Sequence, residues 1–114
     1  MYIIYHNPRC SKSRKTLAIL NENNMDVKII EYLKNPPSTK QLESISSMLK
    51  MGPLDFMRKN EPEFKELGLD RHVKAGWELC EIMSNNPKLI ERPIVIKGDK
   101  AIIGRPPENV IKLF

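Results

Sequence analysis

The chain predicts an α/β fold in which a β-α-β unit and a β-β-α unit are separated by a helical block. Three observations carry this expectation. A short apolar, β-prone run opens the chain and is followed by a helical pattern and a second β-prone run. Pro36-Pro37 then marks a change to segments with helical periodicity. After Arg92-Pro93, two short β-prone runs return around a Gly98-Asp99 turn.

Each element has a local reason. Tyr2 to Tyr5 is apolar enough for a buried strand, and the polar loop that follows, His6-Asn7-Pro8-Arg9-Cys10, leads into a helix. Leu17, Ile19 and Leu20 keep helical spacing between Lys15 and Asn23, where Asn-rich sequence ends it. Asp26 to Tyr32, with Val27, Ile29 and Ile30, completes a β-α-β unit whose crossover should be right-handed. In the middle third, Ser38 and Gln41 form a capping box ahead of Leu42, Ile45, Met48 and Leu49, so a helix is expected from about Thr39 to Lys50. Gly52-Pro53 breaks it. Leu54 to Lys59 offers a further helical turn or two and Pro62 to Leu67 another, and Val73, Trp77, Cys80 and Ser84 fall on one face of a last helix. Pro93 to Lys97 and Ala101 to Ile103 form a hairpin, and Pro106-Pro107 starts a short helix carrying Val110, Ile111 and Leu113.

The whole chain, 1–114, is expected to be one domain, with a core formed by 1–35 and 88–114 and a helical insertion at 36–87; no repeat or low-complexity segment interrupts it. No apolar window approaches the length of a membrane span, and the N-terminus lacks a basic start followed by a long apolar stretch, so a cytoplasmic location without membrane partners is expected. Two cysteines, Cys10 and Cys80, are too few for a disulfide scaffold and too far apart for a metal site, which fits a reducing compartment and no bound metal. The net charge of +5 is spread among acidic residues, and aromatics make up only 6% of the chain, so a nucleic-acid stacking surface is not expected. A basic balance of this size also suits an anionic small substrate.

Cys10 is the most informative residue. It sits between the first strand and the first helix, at the carboxyl end of the strand, where open α/β sheets place their ligands. The positive end of the helix dipole and the cations Arg9, Lys12 and Arg14 all favour thiolate over thiol, which makes Cys10 a candidate nucleophile. Cys80, on an apolar helical face with Val73 and Trp77, is expected to be core filler.

Order and motifs together resemble the thioredoxin-like fold as elaborated in the glutaredoxin-dependent arsenate reductase family, a mixed sheet with the helical block inserted between its halves. The likeness covers nearly the whole chain. It rests on Tyr5-His6-Asn7-Pro8-Arg9-Cys10 with Ser13-Arg14, Tyr32-Leu33 to Pro36-Pro37, Arg58-Lys59-Asn60, Glu66-Leu67-Gly68-Leu69, Arg92-Pro93-Ile94-Val95 and Gly104-Arg105-Pro106. At the cysteine, Cys10-Ser11-Lys12-Ser13 stands where many members resemble Cys-Gly-Thr-Ser, a form that looks like a chromosomally encoded sub-branch.

The resemblance implies that Cys10 is the catalytic cysteine and that Arg58, Arg92 and Arg105 bind an oxyanion. Planar, permanently charged guanidinium groups suit a tetrahedral oxyanion such as arsenate, and the same cations would hold Cys10 ionised. The resemblance also implies a cis bond before Pro93. His6 could add charge near Cys10 or orient a group there, or be a structural, hydrogen-bonded histidine. Ser13 could donate to the thiolate through its hydroxyl or its backbone N–H, or be an ordinary first-turn serine.

Since residue 13 is serine, no internal C-x-x-C disulfide can form and a second sulfur must come from outside. By resemblance it comes from glutathione, with glutaredoxin clearing the mixed disulfide and no cofactor bound to the chain. Two other readings stand beside it: a glutathione-dependent thiol oxidoreductase that keeps the same pocket, and a non-enzymatic regulator that binds RNA polymerase, as the Spx-type proteins of similar fold and length do, against which Ser13 and the three arginines argue.

Overall fold

The computed structural model describes residues 1–114. Two compact units are present, one formed by Met1–Asn35 with Arg92–Phe114 and the other by Pro36–Glu91. No helix is long and apolar enough to cross a membrane.

The first unit is built on a four-stranded sheet, in the order β2-β1-β3-β4. β1 (Tyr2–His6) pairs in parallel with β2 (Val27–Glu31) and antiparallel with β3 (Ile94–Lys97), which pairs antiparallel with β4 (Lys100–Ile103). A central β1 explains why Ile4, Tyr5 and His6 are all buried, whereas Lys28 and Ile29 of edge strand β2 are exposed. Helix α1 (Ser11–Glu22) packs with the C-terminal 3-10 segment (Pro107–Leu113). Leu20 and Val110 meet Tyr2, Ile4 and Val95 in a core flanked by Leu17, Met25, Ile102 and Leu113. Helix α1 starts four residues before the apolar pattern at Lys15, because its first turn, Ser11-Lys12-Ser13-Arg14, is polar and carries no apolar periodicity.

The β3–β4 hairpin turns through Gly98 and Asp99. Gly98 has a φ of 63° and Asp99 does not share the positive sign, the two-residue pattern that places glycine first. Carried outward from the Ile94↔Ile103 pair, the same register sets Pro93 beside Gly104, where Gly104 N donates to Pro93 O at 2.9 Å, and Arg92 beside Arg105. The bonds Arg92-Pro93 and Arg105-Pro106 are both cis.

The second unit is mostly helical. The Ser38 capping box is present in both directions: Ser38 Oγ accepts from Gln41 N at 3.1 Å, and Gln41 Oε1 accepts from Ser38 N at 2.8 Å. α2 (Thr39–Leu49) packs Leu42 and Ile45 toward α4 (Gly76–Asn85), with Lys50 in the left-handed region as its C-cap. Between them, Pro53–Phe56 is a 3-10 turn and Pro62–Glu66 is the short α3. Met57 leaves the helical course to form an isolated bridge with Ile90, so the expected helical segment 54–59 stops at Phe56.

The expected face of the last helix needs correction. Val73 lies outside any helix and is fully exposed, and Trp77 is 58% exposed; the buried face of α4 is instead Leu79, Cys80 and Met83. The helix begins only at Gly76, where the Glu78 carboxylate accepts from Ala75 N at 3.1 Å and satisfies an N-terminal donor. A start at that point takes Val73 out of register with Cys80.

Candidate active site

Cys10 is the N-cap residue of α1 and is 8% exposed. A turn closed by Cys10 N donating to Asn7 O at 3.0 Å presents it, and Asn7 Oδ1 accepts from Arg9 N at 3.0 Å inside that turn. Asparagine opens such turns because its side chain can bond its own backbone two residues on, and Pro8 presets the next φ. At the other end, Arg14 N donates to Cys10 O at 3.0 Å and starts the helical ladder.

Two predicted arginines meet at this sulfur. Arg105 Nη2 lies 3.8 Å from Cys10 Sγ, and Arg105 Nε donates to the Arg92 carbonyl at 2.8 Å. The Arg92 side chain hydrogen-bonds the sulfur as well and also engages the fully buried Tyr32. The hairpin register explains the pairing: one arginine lies two residues before β3 and the other two residues after β4, so positions thirteen apart in the chain sit together.

Burial alone would push the Cys10 thiol up. The Arg92 hydrogen bond and charge, with the backbone N–H groups of Ser13 and Lys12, outweigh it, and the thiol is held below its ordinary value. Arg92, despite burial, is held above its ordinary value by the sulfur and Tyr32, so it stays charged. The expected help from loop cations takes a different form. Arg14 donates to the Pro8 carbonyl at 2.9 Å, and Lys12 acts through its backbone N–H rather than its ammonium group.

Ser13 and His6 lie behind the sulfur. The Ser13 hydroxyl is 2.6 Å from His6 Nδ1 and accepts from Asn7 N at 3.0 Å, so the backbone N–H of Ser13, not its hydroxyl, faces the thiolate. Burial pushes the His6 imidazole down, assisted by Arg14 and opposed by Glu31, which favours a neutral ring. His6 thus contacts the loop through Ser13, and burial there works against its carrying a charge.

Arg58 belongs to the other unit. Its Nε meets Glu61 Oε1 at 3.2 Å and its Nη1 meets Glu91 Oε1 at 3.0 Å, while its backbone N donates to Leu89 O at 2.7 Å.

Three supporting residues have roles that the sequence does not assign: Tyr32 and Gly104 enter as parts of the family motifs, and Asn109 not at all. Tyr32 reads as a strand end in the sequence. Asn109 Nδ2 donates to the Arg105 carbonyl at 2.9 Å and to that of Ile103 at 3.3 Å, which pins the arginine's backbone. Gly104 passes so close to α1 that an added Cβ would collide with the Thr16 hydroxyl and lie 2.8 Å from Pro93 Cγ. No group of three or more His, Cys, Asp or Glu side chains is placed to hold a metal ion.

A statistical model described as the ArsC family matches residues 5–113. The chain is 46% identical over 113 residues to a Haemophilus influenzae protein named arsenate reductase, covering 98% of this chain and 97% of that one. It is 44% identical over 111 residues to the Escherichia coli K12 protein YfgD, whose name assigns no activity, covering 96% and 93% respectively. Among solved structures, an arsenate reductase from Vibrio cholerae superposes with a TM-score of 0.94 at 40% identity, covering 99% of this chain and 97% of that one.

Proposed function

The chain belongs to the ArsC family, and on that premise we propose that it reduces arsenate to arsenite with Cys10 as the nucleophile. The observation that carries the proposal is the Cys10 sulfur at a helix N-terminus with Arg105 3.8 Å away and Arg92 bonded to it. A thiolate kept ionised by guanidinium groups is at once a nucleophile and part of an anion site.

In this reading Arg92 and Arg105 receive the oxyanion; Arg58 enters through the family motif alone. The Cys10 thiolate displaces one arsenate oxygen, which leaves as water, and an S–As bond forms. The sulfur of glutathione then attacks Cys10 Sγ. The S–As electron pair departs with arsenic, which falls from the pentavalent to the trivalent state as arsenite. Two thiols have become one Cys10–glutathione disulfide, so two electrons are accounted for. Glutaredoxin, by resemblance, takes up the glutathionyl group and regenerates Cys10. No cofactor bound to the chain is required.

The test is NADPH consumption in a coupled assay containing arsenate, glutathione, glutaredoxin and glutathione reductase. Turnover that disappears in Cys10→Ser supports the scheme. Arsenate reduction that survives in Cys10→Ser contradicts it.

A further inference from the structure

We propose that Asn109 is a positioning residue for the anion site: its side-chain amide fixes the turn at the end of β4 so that the Arg105 guanidinium meets the Cys10 sulfur. This deepens the reductase reading above and rests on it for the identity of the anion. The side chain spans two carbonyls, with Nδ2 donating to Arg105 O at 2.9 Å and to Ile103 O at 3.3 Å. Both partners are acceptors, so the nitrogen end of the amide must face the turn, and its two N–H groups match the two oxygens.

The turn held in this way is tight. Arg105 N donates to Ile103 O, two residues back, at 2.9 Å, and Gly104 N between them donates to Pro93 O at 2.9 Å. Asn109 is itself anchored. Its backbone N donates to Pro106 O at 3.0 Å, and the next residue, Val110, is fully buried in the core with Ile4 and Leu20. The amide therefore ties the strand end that carries Arg105 to a segment packed on α1, the helix whose N-cap is Cys10.

What the tie fixes is the approach of a charge. Arg105 Nε donates to the Arg92 carbonyl at 2.8 Å and Nη2 lies 3.8 Å from Cys10 Sγ, so one contact orients the guanidinium and the other brings it to the sulfur. An arginine free to turn gives up rotamer entropy each time it binds an anion, whereas one held at its backbone and at Nε has already done so on folding. Since Arg105 bonds the Arg92 carbonyl, the same amide steadies the chain at both arginines.

The test needs no arsenate. In a Cys80→Ala background the Cys10 thiolate attacks the methylene carbon of iodoacetate, an anion, or of iodoacetamide, its neutral counterpart; an S–C bond forms, iodide leaves, and mass spectrometry follows each rate. The ratio of the two rates reads anion capture apart from thiolate reactivity. Asn109→Leu, which keeps the bulk and removes the donors, is expected to lower that ratio about threefold, and Arg105→Ala about tenfold. Asn109→Leu added to Arg105→Ala should lower it no further, because a residue that acts through Arg105 then has nothing left to place. Asn109→Ala takes its place if the leucine variant lacks a native unfolding transition. An unchanged ratio in a folded variant, or a further loss of the same size on top of Arg105→Ala, overturns the proposal. A lowered ratio in a protein that fails to reduce arsenate would sink the reductase reading and leave Asn109 in its role.

Discussion

The two cysteines share a side chain and differ in almost everything around it. Cys10 at the N-cap of α1 and Cys80 on the inner face of α4 are both buried, at 8% and 1% exposure. Burial raises both thiols. At Cys80 nothing opposes it, and the nearby Glu43 carboxylate raises the thiol further. At Cys10 an arginine and two backbone N–H groups reverse the sign. Seclusion from water therefore does not decide whether a thiol is inert; the donors that come with it do.

Substitution at each cysteine should break the comparison most visibly. Cys10→Ser is expected to lower arsenate reduction by about a thousandfold or more, since no other group near Arg92 and Arg105 can bond arsenic, while Cys80→Ala should leave the rate per folded molecule unchanged. The coupled assay reads both. Comparable losses at the two positions would mean that position in the fold, not chemistry, is being measured.

Arg92→Ala comes next. It removes the strongest favourable partner of the sulfur, so Cys10 should ionise at higher pH and arsenate reduction at neutral pH should fall by about ten- to a hundredfold. Gly104→Ala should follow. With Thr16 and Pro93 in the way of a Cβ, the β4 end must move and take Arg105 with it, at a cost of about 1–3 kcal/mol in chemical denaturation. Cys80→Ser should cost about 1 kcal/mol, because a hydroxyl replaces a small apolar group in the core, with no change in the catalytic pH profile.

The smallest effect concerns His6. Its folded-state ionisation lies below its ordinary value, so as pH falls through that value the unfolded chain takes up a proton that the folded chain refuses. Stability should therefore decline in that window as pH drops and level off below the folded-state ionisation; His6→Gln should flatten the slope.

Much of this architecture was legible in the sequence because it is local. The Ser38–Gln41 box, the Gly98-Asp99 turn and the strand–loop–helix around Cys10 each announce themselves within a few residues. The pairing of Arg92 with Arg105 was legible in part, since hairpin register relates them, although their role came from family resemblance rather than spacing. What could not be read depends on long-range placement. Tyr32 beside Arg92 and Gly104 against Thr16 involve residues distant in the chain. Val73 misled for a related reason: its spacing to Trp77 and Cys80 mimics a helical face, but the helix starts only where a carboxylate is available to cap it.

The central claim is that guanidinium groups, acting with the N-terminus of α1, hold the Cys10 sulfur as an anion. The most direct test is the ultraviolet absorbance of the thiolate, titrated against pH in a Cys80→Ala background with and without Arg92→Ala. The account predicts that Cys10 ionises below the ordinary cysteine value and moves upward when Arg92 is removed. A midpoint at or above the ordinary value in the parent protein, or one indifferent to Arg92, would contradict it.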